Sequence, residues 1–136
     1  MQTLQYRWTK LETLFKTVTG FKRVELIPME RLIDNSFWNG LTGLMIPACF
    51  VVLKNAVDEG KSTEANDTWG LIIVAPAKPT DTTSPVLGFV ESCKAKLDYQ
   101  WPNTFLYLKP GSRTTMLQVM PQISVAEVEI YTTDFE

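Results

Sequence analysis

Residues 46–53, IPACFVVL, and residues 69–75, WGLIIVA, are short apolar runs rich in β-branched side chains, and turn formers bound each of them. Runs of this length and composition read as strands covered on both faces. They predict the centre of a sheet. Between them residues 55–67, NAVDEGKSTEAND, are polar with Gly60 in their middle, which predicts a solvated hairpin loop or the flexible tip of a long hairpin.

Toward the N-terminus, Leu4, Trp8, Leu11, Phe15 and Val18 recur at steps of four and three. That spacing predicts a helix with those residues on one face and Arg7, Lys10, Glu12 and Lys16 turned outward. Gly20 follows as a left-handed cap, and residues 21–27, FKRVELI, closed by Pro28, predict a short strand. Residues 28–46 hold neither period and carry the breakers Asn39-Gly40 and Gly43, so a short helical turn and a long ordered loop are expected there. Phe37 and Trp38 in that loop are either core residues or contact residues of an interface, and the usual burial of large aromatics favours the core.

Toward the C-terminus, the connection APAKPTDTTSP ends in Ser84 and Pro85, an N-cap and a first-turn proline. Val86, Phe89, Val90, Cys93 and Leu97 then share one face of a helix that ends by residues 101–103. Residues 105–108 and 116–120 predict two short strands around a turn at residues 110–113. Over residues 124–132, Val128 and Ile130 alternate with Glu127, Glu129 and Tyr131, which is the pattern of a half-exposed strand. The element order predicts one α+β domain over residues 1–136: a single mixed, mainly antiparallel sheet with two main helices packed on one face.

Charge and composition exclude several classes of function. Thirteen Lys and Arg against fifteen Asp and Glu, without long runs, offer no basic stripe for a phosphate backbone, so no nucleic-acid specificity is expected. The apolar runs are too short to span a bilayer, and the first residues carry no leader pattern. Cys49 and Cys93 fall in a buried strand and on the apolar face of a helix, which predicts two reduced core thiols and folding in a cytoplasm.

The chain contains no histidine, which removes Ser-His-Asp, Cys-His and zinc–histidine arrangements together. No glycine-rich phosphate cradle occurs. Glu127 and Glu129 share a strand face roughly 6–7 Å apart by strand rise, near the separation of glycosidase carboxylates, but alternating glutamates beside aliphatics are ordinary in a half-exposed strand. Asp58, Glu59, Glu64 and Asp67 lack calcium-loop spacing and are interrupted by Lys61, so they read as a solvated loop. No catalytic, cofactor or metal residue is assigned, and no enzyme is expected.

Pro47-Ala48 opening PACFVVL, Asp67-Thr68-Trp69 leading into GLIIVAPA, a helix after the proline-bearing connection and a closing alternating strand with Tyr131 together resemble the phage tail terminator and minor tail protein family, including Mu-type prophage tail proteins. The similarity covers nearly the whole chain in element order, and the chain departs from the family's pattern over residues 37–44. The resemblance implies a homo-oligomeric ring, commonly a hexamer, that sits on the end of the tail tube. Such a ring halts tube growth and faces the head–tail connector, in a virion tail assembled from subunits folded in the bacterial host cytoplasm. It would make Lys54, Asp58, Glu59, Lys61 and Glu64 partner contacts, with Phe37 and Trp38 as further candidates. The alternative is a small-molecule or peptide binding module in which some of the fifteen aromatics line a pocket.

Overall fold

The computed structural model describes residues 3–33, 36–37, 45–58, 64–78, 80–97, 100–101, 104–107, 114–120 and 122–135. Helix α1 spans Leu4–Phe15 and strand β1 Arg23–Leu26; a 3-10 turn at Met29–Ile33 leads toward β2, Ala48–Asp58, and β3, Glu64–Pro76. Helix α2, Pro85–Lys94, is followed by β4, Gln100–Trp101, β5, Thr104–Tyr107, β6, Thr114–Met120, and β7, Ile123–Phe135. The strands form one seven-stranded sheet in the order β1-β2-β3-β7-β5-β4, with β6 also paired to β7. Among the described residues β1 and β2 run parallel and the other pairings are antiparallel. β5 meets residues 131–134 of β7 and β6 meets residues 123–128, so β5 and β6 follow one another along the same side of β7.

Both helices pack on one face of this sheet, as the sequence predicts. Leu11, Leu14 and Phe15 of α1 and Val86, Val90 and Cys93 of α2 close over Cys49, Val51, Trp69, Leu71, Ile73, Ala126, Val128 and Ile130, the alternate residues of three central strands. Burying each such side chain contributes about 1.5–3 kcal/mol before chain entropy is subtracted. The intervening residues Ala48, Phe50, Val52, Ile72, Val74 and Val125 face the other way and are covered by Ile27, Phe37 and Ile46. β2 and β3 are thus buried on both sides over their central stretch, which is why they read as unbroken apolar runs.

Several local readings need correction. Residues 55–58 and 64–67 are strand, extending the β2–β3 hairpin to the pair Asp58 and Ala65. The polar sequence stays extended because β7 runs beside β3 as far as Phe135, supplying a ladder that local composition does not reveal. Arg7, expected outward, is 4% exposed and lies beneath α1. Gly20 has the expected positive φ, 104°, but four residues beyond the helix C-cap at Lys16. There a Cβ would come within 3.0 Å of the Phe89 ring, which stacks on Phe21 at 4.7 Å. Ser84 is the N-cap of α2, yet its hydroxyl makes no capping bond. The breakers at 39, 40 and 43 and the turn at 110–113 lie outside the described residues.

Candidate functional site

Two clusters of ionisable side chains form on the sheet, one on each face, the first between β2 and β7 and the second between α1, β3 and β7. On the face opposite the helices, the register passes from Leu53 opposite Trp69 to Asn55 opposite Thr68, so Lys54 is the extra residue of a β-bulge. A bulge re-aims the side chain it displaces. Lys54 reaches across β3 to β7, where its Nζ donates to Glu127 Oε1 at 2.6 Å and to Glu129 Oε1 at 3.0 Å. The residue beneath that path is Gly70, and a Cβ there would lie 3.3 Å from both Glu127 Oε1 and Lys54 Cδ. Tyr131 Oη donates to Glu129 Oε2 at 3.1 Å. Thr115 of β6, paired with Glu127, completes the wall of a cleft of about 130 Å³ that Lys54, Glu127 and Glu129 also line.

The Lys54 side chain keeps 27% of its surface exposed. Partial burial favours the neutral amine, but the hydrogen bonds to Glu127 and Glu129 and their negative charge outweigh it and raise the amine above its ordinary value of 10.5. Lys54 is therefore an ammonium at neutral pH. It supplies neither a base nor an amine nucleophile, and it occupies one oxygen of each glutamate. The acidic pair seen in the sequence is brought together around a cation.

The second cluster lies under α1. Arg7 Nε and Nη2 donate to Asp67 Oδ2 and Oδ1 at 2.5 and 3.1 Å, a two-pronged pair. Asp67 Oδ2 also accepts from Thr132 Oγ1 at 3.1 Å, and Thr132 Oγ1 accepts from the Trp69 indole N–H at 2.9 Å. All four residues are buried. The neighbouring Trp8 indole donates to the Val51 carbonyl at 3.0 Å, with its ring 6.5 Å from that of Trp69. Each polar group that this corner removes from water is met by a partner, as a low-dielectric interior demands. The network ties α1 to β3 and β7.

Asp67 is thus separated from the acidic loop in which it was read. Among the described residues no group of three or more His, Cys, Asp or Glu is placed to hold a metal. Glu59, Lys61 and Trp38 lie outside the described residues, as do the side chains of Asp58 and Glu64. Of the proposed contact residues, Lys54 joins the glutamates, and Phe37 is a core residue whose ring meets Phe50 edge-on at 5.0 Å, with the Arg31 guanidinium 5.3 Å from it. The two cysteines are free and buried. Contact with Cys93 and burial push the Cys49 thiol well above its ordinary value of 9.0, which leaves it protonated and unreactive.

Sequence periodicity held signals for the residues that were missed. Arg7 lies three residues after Leu4 and four before Leu11, on the apolar side of the helix. Asp67 continues the alternation Trp69, Leu71, Ile73 and so shares their face. A cleft of about 330 Å³ beside the start of α2 is lined by Lys78, Asp81, Thr82, Thr83 and Ser84 among others, and Asp81 Oδ2 accepts there from the Lys78 backbone N–H at 2.8 Å. The chain matches no family model and no curated protein.

Proposed function

We propose that this chain is a structural subunit of a phage or prophage tail, a tail-terminator-like protein that self-associates on the tail tube and meets its partners through surface contacts. The observation that favours surface contacts over chemistry is the internal pairing of both ionisable clusters: Lys54 with Glu127 and Glu129, and Arg7 with Asp67. Groups held in this way stabilise a fold and shape a surface, and none is left as a poised acid, base or nucleophile.

The aromatics support contacts over a ligand pocket. Trp8 with Trp69, Phe21 with Phe89 and Phe37 with Phe50 are engaged with one another around the two cores, and the two clefts described above are lined by polar side chains. The tail assignment itself comes from the resemblance in element order. Light scattering across a concentration series, with electron microscopy of the product, tests self-association: a symmetric oligomer is expected, and a strict monomer at high concentration counts against it. Adding the protein to growing tail tubes from the same phage or prophage tests the placement. The expected result is arrested growth with the protein at one tube end; tubes that lengthen unaffected and bind none of it would sink the tail assignment.

A further inference from the structure

The two helices are held to the sheet in different ways. α1 is fixed by polar bonds as well as by packing: Arg7 pairs with Asp67, and the Trp8 indole donates to the Val51 carbonyl. α2 is ten residues long, and among the described residues its side-chain hydrogen bond and ion pair, Ser92 to Gly88 and Lys94 to Glu91, stay within the helix. Its attachment rests on apolar contacts, chiefly those of Val86, Val90 and Cys93. Its N-cap Ser84 makes no capping bond, and Gly88 lies in its interior. Packing without polar anchors, a bare cap and an interior glycine make α2 the helix that opens at lower cost. Beneath it two thiols meet. Cys93, 1% exposed, is in contact with the fully buried Cys49 of β2, and the chain has no further cysteine. All of β3 and the connection to α2 lie between the two positions, so a bond joining them closes a long loop.

We propose that Cys49 and Cys93 are a redox pair, which a small-molecule disulfide converts into a Cys49–Cys93 bond that fastens α2 to β2. The pair acts within one chain and is independent of the tail reading above. With α2 seated, burial keeps both thiols from the oxidant. When α2 lifts, Cys93 travels with it and its sulfur attacks the small disulfide; one small sulfur bonds to Cys93, and the other leaves and takes up the Cys93 proton. As α2 returns, the Cys49 sulfur attacks that of Cys93 in the mixed disulfide, and the second small thiol departs with the Cys49 proton. Two protein thiols are thereby oxidised to one disulfide, and one small disulfide is reduced to two thiols. Cys49, held protonated by its contact with Cys93 and by burial, suits the second step rather than the first. Where thiols dominate the surroundings the same steps run backward and α2 is released.

Oxidised glutathione, added in excess to the folded full chain, is the probe, and alkylation, digestion and mass spectrometry give the readout. The expected product is a single chain lighter by two hydrogen atoms, in which the peptides holding Cys49 and Cys93 are joined, and dithiothreitol reverses it. Its thermal midpoint should rise by about 5 °C or more. Amides of α2 should exchange at least about tenfold more slowly than in the reduced chain, with those of α1 changing less. Two variants, checked for folding by circular dichroism, test the order of steps. Cys49→Ser should stop at a glutathione adduct on Cys93, and Cys93→Ser should take up glutathione at least about tenfold more slowly; equal uptake by the two overturns the assigned order. The natural chain decides the pair itself. It is disproved if both thiols stay free under oxidant that modifies the unfolded chain, if the adduct accumulates without joined peptides, or if the joined chain melts no higher than the reduced one.

Discussion

On the helix-covered face of the sheet, Asp67 meets Arg7 with both residues out of water; Thr132 donates to Asp67 and accepts from the Trp69 indole. On the opposite face, Lys54 meets Glu127 and Glu129 with between a quarter and a third of each side chain still exposed. β3 and β7 underlie both clusters, with the cation supplied by β2 on the open face and by α1 on the covered one, so the difference lies in what covers them. A charge beneath a helix has no water to fall back on, and loss of its partner is felt by the whole domain. A charge on the open face is solvated whether or not it is paired, and its pairing shapes the surface more than it holds the fold.

The sharpest way to break this contrast is to remove one partner from each face. Asp67→Ala takes the two-pronged carboxylate from the buried Arg7 guanidinium, and should lower the unfolding free energy by about 3–5 kcal/mol in denaturant titrations. Replacing Arg7 and Asp67 together by Met and Leu should recover most of that loss, because apolar residues of similar volume need no partner there. A loss below about 1 kcal/mol for Asp67→Ala would place this pair in the same class as the open-face cluster.

Next in size is the second core, which distinguishes the covered part of the open face from its charged part. Phe37→Ala removes a buried ring that packs on Phe50 and should cost about 3 kcal/mol, measured as a shift of the denaturation midpoint at unchanged slope. A cost near zero would mean that the segment after β1 contributes little cover, and that Phe50 and Ile72 are shielded by other residues.

How far these features were legible follows from the distance over which each is specified. The strands at 46–53 and 69–75, both helices and the paired faces of β7 are written in local periodicity, which burial on one or both sides imposes directly. Arg7 was misread because a charged residue defaults to solvent, and its partner lies sixty positions away on another element. Residues 55–58 and 64–67 were misread because a polar strand resembles a loop until the neighbour that hydrogen-bonds it is known; here that neighbour is the end of β7, beside residues 64–67. Glu127 and Glu129 were placed on the correct face, but the cation between them comes from a bulge at Lys54, and a single extra residue in a ladder leaves no mark on composition.

The open-face cluster should respond weakly and in a defined direction. Lys54→Met should cost at most about 1 kcal/mol at neutral pH and less in high salt, since the pair is partly solvated. Because the folded lysine titrates above its ordinary value of 10.5, its contribution is fully present below that value and is lost as the pH rises through the higher folded one. The natural chain and Lys54→Met should therefore converge in stability as the pH rises past 10.5 and through the higher folded value, as followed by thermal unfolding across a pH series. Persistence of the full difference in strong alkali would show that Lys54 acts through its aliphatic stem rather than its charge.

The smallest effect is expected at Gly70, where it reports on geometry more than on energy. Gly70→Ala places a methyl group 3.3 Å from Lys54 Cδ and from Glu127 Oε1, both near the ends of flexible side chains that can give way. Alanine also restricts the unfolded chain, an opposing gain of about 0.4–1 kcal/mol. The net change should fall within about 0.5 kcal/mol of zero, and a double-mutant cycle with Lys54→Met isolates the crowding. If Gly70 is small in order to let Lys54 cross β3, alanine should be more favourable in the Lys54→Met background, whose shorter side chain ends before the glutamates. Equal effects in both backgrounds would mean that the lysine reaches Glu127 and Glu129 by a path that does not depend on the missing side chain.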